Sequence, residues 1–368
     1  MRAALFTGID AYRADQHYAP LPGATSDAQA ICQALANWTD GSLDGAGNPR
    51  INWAGHRTQV LVNQSDIDEY VTQSKLNQAL DALLATSGDH ILFYFAGHGD
   101  IIDGRGLLLA THDDQPDPTL NTGPDGRRGV YLRDLIDRIR QAGINSATIM
   151  LDCCHAGFLE GIDPPNNTAI IAATRGVEQA KERNGHGLFT TMLLEGLKGG
   201  AADVQGRITA VSLYTFAAGA ISSYRDRQQP VLKASLERLI PLQRREAKVS
   251  LKGLVQPTNR FRPGHDGILY ARVTKDHEAT QEQTDTALAT LLREGNFRTR
   301  PKVLREPSPE QLEFDYFAAL RNAGLLRVPP EYASLYWACM AEGRIELTPL
   351  GEYYWQLAQD NKLSDSDD

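Results

Sequence analysis

His90-Ile91-Leu92-Phe93-Tyr94-Phe95-Ala96-Gly97-His98-Gly99-Asp100 is the stretch that decides the fold. From His90 to Phe95 the chain is apolar almost without interruption, the pattern of a strand buried on both faces. It stops at a histidine set between two glycines. Ala147 to Leu151 is a second run of the same kind, and it ends in Asp152-Cys153-Cys154-His155-Ala156-Gly157. Leu132 to Ile139, between the two, has helical spacing. Working outward, Ala3 to Gly8, Thr58 to Val62 and Thr168 to Ala173 read as further strands. Ser26 to Asn37, Lys75 to Ala85 and Gly187 to Leu197 read as helices, with Ser26 or Asp27 near the start of the first. Strands alternating with helices predict an α/β three-layer sandwich around a mostly parallel sheet.

This alternation runs through residues 1–245. A basic stretch containing Pro and Gly, from Glu246 to Pro263, then breaks it. The expected organisation is an α/β domain over 1–245 and a linker with a helical connector over 246–300. A small, mainly helical domain over 301–362 and an acidic tail over 363–368 complete it. The connector helix is expected from Thr280 to Glu294.

Composition narrows the function. At 368 residues, with 42% hydrophobic and 23% charged, the chain is ordinary globular protein of about two domains. Its net charge of −9 gives no general attraction to nucleic acid or anionic membrane. No apolar run approaches the roughly 20 residues that cross a bilayer. The stretch Ala3 to Phe6 is too short for a signal-peptide core, so the expected location is cytoplasmic. The four cysteines, Cys32, Cys153, Cys154 and Cys339, follow neither a disulfide framework nor a zinc pattern.

Open α/β sheets gather their ligand sites outside the carboxyl ends of the strands. Both His98 and Cys153-Cys154 fall at such ends, and the two strands can be neighbours. A cysteine acts as a nucleophile only as thiolate, and a nearby imidazole takes its proton and later protonates the leaving amine. Adjacent residues of an extended chain point to opposite sides, so only one of the two thiols can face His98. His155, next to the pair, reads as structural.

Tyr94-x-x-Gly97-His98-Gly99 and Asp152-x-Cys154-His155-x-Gly157 resemble the motifs of metacaspases and bacterial caspase homologues, usually Y-S-G-H-G and D-x-C-H-S-G. The stretch Gly8-Ile9-Asp10 to Asp27-Ala28, the run Gly185-His186-Gly187-Leu188-Phe189-Thr190, and Gln229-Pro230 extend the resemblance over residues 1–245. Ala96 and Ala156 replace the usual serines, and neither change removes a catalytic atom. The resemblance implies a cysteine endopeptidase with Cys154 as nucleophile and His98 as general acid–base. It implies an oxyanion hole from the backbone N–H groups of Gly99 and Cys154. It also implies that Asp27 and Asp152 line the pocket for the residue before the cleaved bond. Two carboxylates there select Arg or Lys; a helix cap is the plainer role for Asp27. No cofactor is required. Some metacaspases bind Ca2+, but the acidic loop holding Asp100, Asp103, Asp113, Asp114 and Asp117 lacks the alternating ligands of a calcium loop. Arg127, Arg128, Arg175, Lys181 and Arg183 lie in expected loops as candidate self-cleavage sites. The resemblance leans to a monomer.

The C-terminal segment resembles a winged helix, with Leu347-Thr348-x-x-Gly351 as a wing-like element. From Arg305 to Asp368 it carries twelve acidic and five basic residues, a balance that opposes phosphate contact. The expected partners are therefore a protein substrate with a basic residue before the cleaved bond and an activator or adaptor protein on the C-terminal domain. Nucleic acid and membrane are not expected partners. A non-catalytic caspase-fold scaffold and a DNA-binding regulator are the rival readings.

Overall fold

The computed structural model describes residues 2–13, 18–36, 39–43, 49–51, 53, 58–63, 69–85, 90–103, 105–113, 127–175, 182–183, 186–223, 228–245, 247–254, 261–264, 269–272 and 309–360. The chain divides into two compact units, Met1–Glu246 and Ala247–Asp368.

The first unit is built on six strands: β1 (Arg2–Gly8), β2 (Thr58–Val62), β3 (His90–Ala96), β4 (Ala147–Asp152), β5 (Thr168–Ala172) and β6 (Val231–Ser235). They lie in the order β6-β5-β4-β3-β1-β2, and all neighbours are parallel except β5 with β6. Strand alternation divides the apolar residues between the two faces. Leu5, Phe93, Phe95, Ile149 and Leu151 pack on one side against α2 (Gln73–Leu84) and α3 (Leu132–Gln141). Phe6, Leu92, Met150 and Ile171 pack on the other against α1 (Ala24–Ala36), α4 (Leu188–Glu195) and α5 (Ala210–Ser223). Both cores are needed to cover β3, every residue of which is buried, and this accounts for its continuous apolar sequence. Truncating a buried phenylalanine such as Phe93 or Phe95 to alanine costs about 3–5 kcal/mol.

The second unit holds a four-stranded antiparallel sheet ordered Arg262–Pro263, Leu269–Arg272, Arg344–Leu347, Leu326–Arg327. Its helices are α6 (Pro309–Asn322), α7 (Leu335–Met340) and α8 (Pro349–Gln359). Gly324, at φ 74°, ends α6 where only glycine turns without strain. The wing-like stretch turns out differently: Thr348 caps α8, and Gly351 sits inside that helix against the carbonyl of Leu325. Ser334 caps α7, which begins later than the sequence pattern from Glu331 suggests. The connector helix expected at Thr280–Glu294 lies outside the described residues.

Candidate active site

Parallel pairing of β3 with β4 puts the two motifs side by side. Ala96 pairs with Asp152, so His98 and Cys154 each stand two residues beyond matched positions at the same sheet edge. The edge is tied further by Gly97 N–H donating to the carbonyl of Asp152 at 3.3 Å. Gly99 lies directly on the backbone of Cys154. A Cβ there would stand 2.3 Å from the Cys154 carbonyl oxygen and 2.9 Å from Cys153 Sγ. Glycine is required because two chains cross at van der Waals distance.

The structure separates the paired cysteines. Cys153 is fully buried, and burial pushes its thiol well above the usual range, with the neighbouring Cys154 and Asp152 adding to the rise. Cys154 is half-buried. The next residue, His155, adopts φ 57°, a left-handed conformation that costs a non-glycine residue energy. Its carbonyl accepts from Phe158 N–H at 2.8 Å, which closes the turn. The chain therefore reverses immediately after the thiol.

His98 is held on three sides. Its Nε2 lies 2.7 Å from the carbonyl of Ala19. A carbonyl only accepts, so Nε2 carries the proton and Nδ1 is the nitrogen able to take one. The ring of Tyr18 stacks on the imidazole at 4.7 Å and 17°, and Tyr12 packs at 5.0 Å. Tyr12 also accepts the backbone N–H of His98 at 2.8 Å through its hydroxyl. Arg127, with only 8% of its side chain exposed, bonds both the Tyr18 hydroxyl and Asp100 Oδ2. Burial lowers the imidazole from its usual value, while the Ala19 carbonyl and Asp100 oppose that shift.

The two acids meet on the other side of this edge. Asp27, on α1, is almost fully buried. It receives His186 Nδ1 at 2.7 Å on Oδ1 and Gly187 N–H at 2.8 Å on Oδ2. It does not cap its helix, which begins three residues earlier at Ala24. Asp152 Oδ2 receives the N–H of Thr190 at 3.2 Å and its hydroxyl at 2.6 Å. Since Thr190 donates there, Tyr94 donates to Thr190 Oγ1 at 2.5 Å. Both carboxylates close on one residue: a Cβ on Gly187 would stand 2.2 Å from Asp152 Oδ2 and 3.2 Å from Asp27 Oδ2. Desolvation raises Asp27 from the usual carboxylate value; the Gly187 amide and His186 pull it back.

Residues 1–240 match the family model for the caspase domain. The chain belongs to the caspase-domain family. That family consists of cysteine peptidases, which agrees with the fold and with a cysteine at this sheet edge. Among solved structures the chain is similar to caspase-1 from Spodoptera frugiperda, with 12% identity and a TM-score of 0.43. That match spans 66% of this chain and 90% of the other. It is also similar to the protein GSU0716 from Geobacter sulfurreducens, with 15% identity and a TM-score of 0.44, over 67% and 97%. No curated protein matches the chain.

The caspase domain holds parts of the site that sequence reasoning missed. The Ala19 carbonyl is a backbone atom and leaves no trace in residue type. Tyr12 and Tyr18 lie in a loop more than 75 residues before His98 and carry no motif. Arg127, one of five candidate self-cleavage residues, places its side chain in the Tyr18–Asp100 bridge, a contact that no sequence pattern signals. His186 and Thr190 stand in the quoted Gly185–Thr190 run, where the alternation of polar residues with glycines was the available signal.

Among the described residues no cluster of three His, Cys, Asp or Glu could hold a metal. Of the acidic loop, Asp100 is paired with Arg127, and Asp113 Oδ1 accepts from Gln73 N–H and the Thr111 hydroxyl. Asp114, Asp117, Lys181 and the side chain of Arg183 lie outside the described residues. No helix among the described residues is long and apolar enough to cross a membrane.

Proposed function

We propose that the caspase domain is a cysteine endopeptidase that cleaves protein substrates after Arg or Lys, with Cys154 as nucleophile and His98 as acid–base. The observation that carries this reading is the matched register of β3 and β4, with a proton-accepting Nδ1 left on His98. The Cys154 thiol gives its proton to Nδ1, and the sulfur bonds to the scissile carbonyl carbon. The carbonyl oxygen gains charge, which the N–H groups of Gly99 and Cys154 stabilise. The C–N bond breaks as His98 returns the proton to the leaving amine. Water then releases the acyl group from sulfur by the same steps in reverse order of partners.

Asp27 and Asp152 support a basic residue before the cleaved bond, because both carboxylates close on one backbone position beside the nucleophile strand. A guanidinium or ammonium there gains a charge-assisted bond that a neutral residue does not. For the C-terminal unit, the acidic charge balance favours a protein partner over nucleic acid, and exposed Tyr336 and Trp337 are residue types enriched in protein interfaces. A bacterial regulatory or defence setting and a monomeric state follow from the family resemblance alone.

The test is hydrolysis of fluorogenic peptides ending in Arg, Lys or Asp by the full chain and by Cys154→Ala, with and without Ca2+. Turnover after Arg or Lys that disappears in Cys154→Ala is the expected result. Turnover after Asp removes the pocket assignment and keeps the dyad; equal turnover by both proteins removes the dyad.

A further inference from the structure

Tyr94 opens the histidine motif and has no part in the peptidase chemistry, yet its hydroxyl is buried and bonded. The register of β3 and β4 explains where it goes. Tyr94 pairs with Met150 and Ala96 with Asp152, so Tyr94 and Asp152 lie on the same face of neighbouring strands. Thr190, in the first turn of α4, stands between them. Tyr94 donates to Thr190 Oγ1, which donates in turn to Asp152 Oδ2 at 2.6 Å; Thr190 N–H reaches the same oxygen at 3.2 Å. Burial, with Asp152 and Asp27 nearby, raises the Tyr94 hydroxyl well above its ordinary range, so it remains a donor. Tyr94 and Thr190 are fully buried, and Asp152 is 7% exposed. Part of this arrangement is a helix cap, because Gly187 at the start of α4 has no side chain to offer. The Thr190 amide alone meets that need. The two hydroxyls behind Asp152 are more than capping requires.

We propose that Thr190 is a positioning residue for the basic-residue pocket: its hydroxyl, fixed from behind by Tyr94, sets the Asp152 carboxylate where a substrate cation meets it. The proposal rests on the assignment of Asp27 and Asp152 to that pocket. A helical threonine ordinarily turns its hydroxyl to the carbonyl one turn back. The neighbouring Thr191 does so, donating to the Gly187 carbonyl at 2.9 Å. Thr190 is diverted from that partner. With Tyr94 donating to its oxygen, its one proton is directed to Asp152. A buried carboxylate keeps its charge only where donors replace the water it has lost. Thr190 supplies two donors with no charge of their own, so it holds the carboxylate without neutralising it. Asp27 has separate donors in His186 and the Gly187 amide, and the two acids are set independently.

The experiment compares two peptides differing only in arginine or citrulline before the cleaved bond, hydrolysed by the full chain and its Thr190→Val, Thr190→Ser and Tyr94→Phe variants. Citrulline has the shape of arginine without its charge, so the ratio of the two kcat/KM values reads the pocket and cancels any general loss of activity. Thr190→Val keeps the side-chain shape and the capping amide and removes only the hydroxyl. It is expected to lower the ratio about tenfold, the worth of one hydrogen bond to a charged group, through the KM of the arginine peptide. Thr190→Ser restores the ratio. Tyr94→Phe, which leaves Thr190 in place but frees its hydroxyl to turn, lowers the ratio by a smaller factor and serves as the second test where the valine variant does not fold. If arginine is preferred by the unchanged protein and the ratio is the same in Thr190→Val and Tyr94→Phe, Thr190 only caps α4: its positioning role is overturned and the basic pocket stands. If the unchanged protein does not prefer arginine over citrulline, the pocket assignment falls and this proposal falls with it.

Discussion

β3 carries a histidine at its amino end and another just past its carboxyl end, and the two have opposite chemistry. His90 is fully buried, with Nδ1 2.7 Å from Ser146 Oγ and Nε2 3.1 Å from Thr148 Oγ1. Both nitrogens are satisfied by hydroxyls. Burial holds the ring neutral, with its pKa lowered to about 3, and Arg2 and Arg238 push in the same direction. His98 is half-buried, and among the described residues only one of its nitrogens is committed, to the Ala19 carbonyl. The same residue type is a bolt at one end and, under the proposed mechanism, a proton carrier at the other. The difference lies in how many ring nitrogens the fold occupies and whether solvent reaches the rest.

The comparison breaks most sharply under substitution at the carboxyl end. His98→Ala and Cys154→Ala are each expected to reduce peptide hydrolysis by a thousandfold or more, with the cooperative unfolding transition unchanged. His90→Gln keeps a donor and an acceptor between Ser146 and Thr148, and should retain turnover per folded molecule. Turnover and urea unfolding measured on the three proteins decide this. A His90→Gln protein that folds but has lost activity would erase the contrast.

The two ends should also differ under acid. The folded-state pKa of His90 lies below the ordinary 6.5, so the unfolded chain binds more protons between the two values. Stability rises with pH wherever the unfolded state binds more protons. The contribution of the neutral ring is therefore complete above about pH 6.5 and is lost as pH falls from there toward about 3. The full span is worth about 5 kcal/mol at most. Urea midpoints at pH 7.5 and 4.5 should show a larger acid loss in the natural protein than in His90→Gln, in which this position does not titrate.

The contrast between the ends also marks what the sequence could and could not disclose. Strands buried on both faces announce themselves as unbroken apolar runs, so β3, β4 and β5 were readable, and so was the order of alternation that places His98 and Cys154 at one edge. The acid pair was reachable only through the family motif, because Asp27 and Gly187 are 160 residues apart and no local pattern links them. The start of α1 lies at Ala24, earlier than the sequence suggests, because Asp27 resembles a cap in sequence while its carboxylate is spent on long-range bonds to His186 and Gly187. The Ala19 carbonyl was beyond reach altogether. A backbone acceptor is available at every position, and nothing in residue type singles out Ala19, which stands two residues before the Leu21 N–H that donates to the Asp10 carbonyl. Around Thr348 the sequence is ambiguous, because a strand followed by Thr-x-x-Gly suits a wing-like element and the capped start of a helix equally well.

At the carboxyl end, smaller changes sharpen the account of how the dyad is held. Gly99→Ala places a methyl 2.3 Å from the Cys154 carbonyl, so the crossing chains must part. Displacements of about 1 Å in a catalytic geometry cost on the order of a hundredfold. The loss is expected in kcat, measured with the Arg peptide, while Gly143→Ala, which has nothing near its Cβ, is expected to leave turnover unchanged.

The smallest effect belongs to Tyr18. Tyr18→Phe keeps the ring stacked on His98 and removes only the hydroxyl that Arg127 holds; Tyr18→Ala removes the stack itself. If the aromatic plane is what orients the imidazole, the phenylalanine variant should lose a few-fold in kcat/KM and the alanine variant about tenfold, since one aromatic contact is worth about 0.5–1.5 kcal/mol. Removing the stack also exposes the imidazole to water, which relieves the desolvation that lowers its pKa. The acid limb of the kcat/KM profile should therefore move to higher pH in Tyr18→Ala and stay in place in Tyr18→Phe. A limb that moves equally in both variants would mean that the Arg127–Tyr18 hydrogen bond, rather than the stacked ring, governs the proton on His98.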